Sequence, residues 1–159
     1  MDKNQAVIDY MCQCPVIRDN PLFFNFAQAE GDNKQLVTVA TDKSLNKPYI
    51  DGSVDKRYTF TIIDYRSIIY QEVVKVSGYQ NENVEEMFDV QSIIDWVSAQ
   101  NDIRNFPSFG DDCVIEEIVA VTDTPNLNGV DTSATPAVAK YSISIQIFYL
   151  DKSKMIWKS

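Results

Sequence analysis

Between Ala139 and Tyr149 the chain reads AKYSISIQIFY, and nearly every second residue is apolar. In an extended chain Ala139, Tyr141, Ile143, Ile145, Ile147 and Tyr149 share one face, while Lys140, Ser142, Ser144 and Gln146 share the other. Phe148 breaks the alternation on the polar side. Period two does not fit a helix, so the stretch is a β-strand with one face in a core and one face out of it. It is longer than the usual strand of about five or six residues. KRYTFTIIDY at 56–65 repeats the pattern, with Tyr58, Phe60 and Ile62 on one face and Arg57, Thr59 and Thr61 on the other.

The rest of the chain supplies what covers the apolar face. Residues 3–13 predict a short first helix through Val7, Ile8 and Met11, ended by Pro15. Leu22, Phe23, Phe24 and Phe26 form an aromatic segment expected to be largely buried. QLVTVAT at 35–41 is a strand by its β-branched content. Residues 42–53 read as a loop or an edge, and 68–76 fit either a strand or an extended loop. The main helix is expected over 84–104, with Asn83 and Glu86 as a capping box and Glu85 and Glu86 at the positive end of the dipole. Its expected apolar stripe is Val84, Met87, Phe88, Val90, Ile94 and Val97, and Pro107 and Gly110 mark its end. CVIEEIVAV at 113–121 is a further strand, and 122–136 reads as a long polar loop. Strands grouped around a central helix favour an α+β fold: a mostly antiparallel sheet with one face under the main helix and the short N-terminal helix. A single domain over 1–159, with a short tail at 151–159, fits the length.

Composition excludes several function classes. The chain has 14 basic and 23 acidic side chains, a net charge of −9, which argues against gripping nucleic acid or an anionic membrane. No apolar run approaches the roughly 18–20 residues of a membrane span. The first residues, MDKNQAVIDY, lack the pattern of a secretory signal, so the cytoplasm is the expected place of synthesis and residence. There is no histidine, which removes Ser-His-Asp and Cys-His nucleophiles. Cys12, Cys14 and Cys113 read as packing thiols, with no zinc site expected. No glycine-rich phosphate loop is present, and no cofactor is expected. An enzyme would have to use carboxylates such as Asp111 and Asp112 brought into a pocket; no catalytic residues are assigned.

The polar face is the open question. Thr59, Thr61, Ser142, Ser144 and Gln146 face solvent, another subunit or a channel. They form hydroxyl rows where an exposed sheet would more freely use Lys and Glu. Spare apolar residues add to this. Pro125, Leu127 and Val130 in the loop, Phe148 on the strand, and Met155, Ile156 and Trp157 in the tail are the candidate contacts to other subunits or to a tail structure.

KRYTFTIIDY, NVEEMFDVQSIIDWVSAQNDIRNFPSFG, CVIEEI, TPNLNGVD and AKYSISIQIFYLDKS, behind a short N-terminal helix, together resemble the tail terminator (tail completion) proteins of tailed bacteriophages. The resemblance covers most of the chain and rests on patterns, not on a catalytic signature. It implies a virion protein assembled in the host cytoplasm. Such a protein forms a ring, typically a hexamer, on the last ring of the tail tube, stops tube growth, and docks the neck or head-completion protein. In a contractile tail it also meets the sheath. DNA passes through without specific binding, and the acidic balance fits such a conduit. A head–tail connector and a tail tube subunit share much of the pattern and stand as alternatives.

Overall fold

The computed structural model describes residues 2–18, 22–25, 33–68, 82–131 and 137–156. In chain order these form α1 (Lys3–Met11), α2 (Pro15–Arg18), β1 (Leu22–Phe24), β2 (Lys34–Val39), β3 (Lys47–Pro48), β4 (Val54–Ile68), α3 (Glu82–Asp102), β5 (Cys113–Ala120), β6 (Asn126–Asp131) and β7 (Ala137–Asp151). The fold is α+β, with a mostly antiparallel sheet.

Its spine is the pair β4–β7. Each strand has 15 residues, and the antiparallel pairing runs unbroken from Val54 opposite Asp151 to Ile68 opposite Ala137. The strand at 56–65 therefore extends further at both ends than its alternation suggested. On one side β2 pairs antiparallel with β4, and β1 adds in parallel. On the other side β7 carries two short strands end to end, β6 along its first half and β5 along its second. β6 lies inside the segment that reads as a polar loop. NLNGVD has weak strand propensity of its own, and the pairing edge of β7 recruits it.

Register puts Phe60, Ile62, Ile143, Ile145 and Ile147 on one face, and α1, α2 and α3 all pack there. From α3 the buried residues are Val90, Ile93, Ile94 and Val97. Phe88, expected in that stripe, is 68 % exposed. Two residues before Val90 is about 200° around the helix, on its far side, whereas Ile93 falls beside Ile94 and Val97. The side chains of Val84, Glu85, Glu86 and Met87 lie outside the described residues. Asn83 sits inside the first turn and not at the cap. The helix stops before Pro107: Arg104 takes the left-handed conformation (φ 56°), and the Asn105 N–H donates back to the Gln100 carbonyl at 3.0 Å. That is a Schellman-type ending, here with arginine where glycine is usual.

Two N-terminal expectations change as well. Pro15 opens α2 and does not merely end α1, since proline suits a first helical position. Phe23 and Phe24 are 42 % and 40 % exposed on β1, a three-residue strand that among the described strands pairs with β2 alone; Phe26 lies outside the described residues. An aromatic group closes one end of the core: Phe109 meets Tyr149 edge-on at 5.1 Å and Tyr58 at 5.8 Å. At the other end a buried ionic cluster ties α3 to the sheet. Arg66 forks onto Asp64 at 2.9 and 3.1 Å and reaches Asp89 at 3.6 Å, and Lys34 lies 3.7 Å from Asp64. Lys34 and Asp64 are fully buried, and such charges are tolerated only when paired.

Candidate assembly surfaces

The second face of the sheet carries none of the described α-helices; residues 41–50, with a single 3-10 turn at Lys43–Leu45, lie over one end of it, where the Thr41 and Thr59 hydroxyls are 3.4 Å apart and Leu45 lines a hollow with Phe148. Its central rows read Val39, Thr59, Gln146 and Val119; then Val37, Thr61 and Ser144; then Gln35, Ile63, Ser142 and Asn126. None of these side chains is charged. Thr59, Thr61, Ser142, Ser144 and Gln146 are all partly exposed there, and the Thr61 and Ser144 hydroxyls lie 3.3 Å apart across the β4–β7 pair. Phe148 lies on this same face, half-buried, with the Arg57 guanidinium 5.2 Å over its ring. It is therefore not part of its own core.

The other candidate contacts scatter. Leu127 and Val130 project from β6, 51 % and 39 % exposed, whereas Pro125 is buried in its own chain. Met155 is half-buried and Ile156 is exposed; Trp157 lies outside the described residues. The tail is tied down as far as Ile156, whose N–H donates to the Asp51 carbonyl at 2.6 Å. Gly52 makes this possible: a Cβ there would stand 2.2 Å from the Lys154 carbonyl oxygen.

Where the tail joins the sheet, a charged cluster appears that the sequence did not reveal. A bulge between Ile115 and Glu117 leaves Glu116 as the extra residue of β5 and turns it toward the open face. There it meets Asp55 of β4, and Tyr49 donates its hydroxyl to Asp55. Glu116 is exposed overall, yet partial desolvation in the hollow and the neighbouring Asp55 carboxylate push it up from the ordinary carboxylate range. Asp151 is shifted the other way. Burial opposes its charge, but hydrogen bonds from Lys56 (2.8 Å) and Ser153 outweigh burial and hold the carboxyl well below that range. No spacing motif marks Glu116, because the bulge that aims it depends on pairing with β7.

Of the acids weighed for catalysis, Asp111 and Asp112 lie exposed in the turn before β5. Among the described residues no group of three or more acids or thiols is placed to hold a metal ion. The cysteines are free thiols, Cys14 buried in the core. No helix among the described residues is long and apolar enough to cross a membrane. Comparison of the chain with protein-family models and with curated proteins gave no match.

Proposed function

We propose that this chain is a structural virion protein: a ring-forming tail terminator that caps the tail tube, ends its polymerisation and joins the tail to the neck or head. One observation carries the reading most. A sheet with two 15-residue central strands leaves a face free of described α-helices, with three central rows of hydroxyl, amide and aliphatic side chains and the charged Asp55, Arg57 and Lys140 toward its ends. A monomer that kept such a face in water would be expected to blunt it with charge. A subunit of a closed ring buries it against a neighbour through heterologous contacts. The net charge of −9 is consistent with a lumen that DNA traverses without being held.

The resemblance to tail terminators in element order supports the same assignment. Electron microscopy of assembled particles, with the chain marked by a specific antibody, tests it against the neighbouring structural roles. Label confined to the neck-proximal end of the tube is the expected result. Label along the tube would make the chain a tube subunit, and label on the head side of the tail joint would make it a connector.

A further inference from the structure

A groove of about 470 Å³ runs between α1 and the turn after α3. Its floor is apolar: Tyr10, Phe106 and Pro107 line it. Its rim is acidic and amide: Asp2, Asp9 and Gln5, with Gln5 donating to Asp9 at 2.8 Å. Among the described residues no basic side chain lines it. The floor is held firmly, because Tyr10 donates its hydroxyl to the Asn105 carbonyl at 2.8 Å and stacks at a tilt on Trp96, 5.2 Å away. A cavity of this size suits one large side chain with its flanks, since ligand pockets run about 300–1,000 Å³.

One segment of this chain has the complementary chemistry. After Asp151 the sequence KSKMIWKS holds three lysines, Lys152, Lys154 and Lys158, and no acid, in a chain that is otherwise strongly acidic. Between those lysines lie Met155, Ile156 and Trp157. The part of it that the structure describes is anchored at the far end of β7 and presents Ile156, 65 % exposed.

We infer that the α1 groove is the seat of the C-terminal tail of a second copy of this chain, with an apolar side chain of the tail on the Tyr10–Phe106–Pro107 floor and tail lysines at Asp2 and Asp9. Knob and groove are different surfaces, so the contact is head-to-tail, the type that closes rings. The inference rests on the ring-forming reading and names the contact between subunits.

The test replaces Trp157 with a photo-crosslinking benzoylphenylalanine in the full chain. Equal amounts of light- and heavy-nitrogen copies are mixed, irradiated and mapped by mass spectrometry. Crosslinks to residues 2–13 or 106–108 in a copy of the opposite label are expected. Asp9→Lys should lower their yield about tenfold, the effect of placing like charges together. Asp9 is on an exposed helix face, so circular dichroism should be unchanged. Crosslinks within one copy, crosslinks to another segment, or none, would overturn the inference. Native mass spectrometry of the same samples separates the two readings. Closed rings whose tails crosslink elsewhere would sink the groove contact and leave the ring. Groove crosslinks in species no larger than a dimer would sink the ring and leave the contact.

Discussion

Gly52 and Glu116 show how much single residues carry at the end of the sheet where the tail joins. Gly52 has φ +92° and a backbone carbonyl where its Cβ would be. Gly52→Ala should therefore both strain the turn and push the tail away, costing about 1–3 kcal/mol. Urea unfolding measures the loss, and unchanged stability would contradict this packing of the tail. Glu116 has a folded pKa raised by partial desolvation and by Asp55. Its favourable contribution is then whole below the ordinary carboxylate pKa and is lost as pH rises through the raised value. Tyr49, Asp51 and Asp55 line the same hollow, and Lys47, Lys56 and Arg57 line the adjoining one. Glu116→Gln keeps the side chain neutral at every pH. Its stability relative to wild type should be higher at about pH 7 than at about pH 4, read from denaturant midpoints. A difference that does not vary with pH would remove the acid pair from the description.

At the scale of elements, the division between α3 and the sheet is the part most open to measurement. Val97 is fully buried against the sheet and Phe88 is mostly exposed. Val97→Ala should cost about 2–3 kcal/mol by emptying a packed site, while Phe88→Ala stays within about 0.5 kcal/mol. Equal costs would mean that the helix is rotated from its described position. The main strands were legible in sequence because alternation at 139–149 and 56–65 reports burial directly. What was not legible depends on partners. β6 forms because β7 offers an edge. Phe23 and Phe24 are exposed on a short strand paired with β2, and hydrophobicity alone gives no hint of it. On α3 the stripe Val90, Ile94 and Val97 was legible, but the exposure of Phe88 and the burial of Ile93 were not, and the helix ending at Arg104 depends on a conformation that arginine seldom marks. The charged cluster at Asp64 unites residues from β2, β4 and α3 that no linear spacing connects.

For the whole molecule, two surfaces among the described residues lie outside the core: a sheet face with uncharged central rows and an acid-rimmed groove. Thr59, Thr61, Ser142, Ser144 and Gln146 were readable as one face from alternation alone, and the structure places them together. The groove was not readable, since α1 and the 106–108 turn meet only in the folded chain. Both surfaces are consistent with the proposed role of a ring subunit that caps a tail tube. Tail length tests that role most directly. Particles assembled without this chain, imaged by negative-stain electron microscopy, should show tubes that overrun the normal length and fail to join heads. Tails of normal, uniform length in its absence would contradict the terminator role.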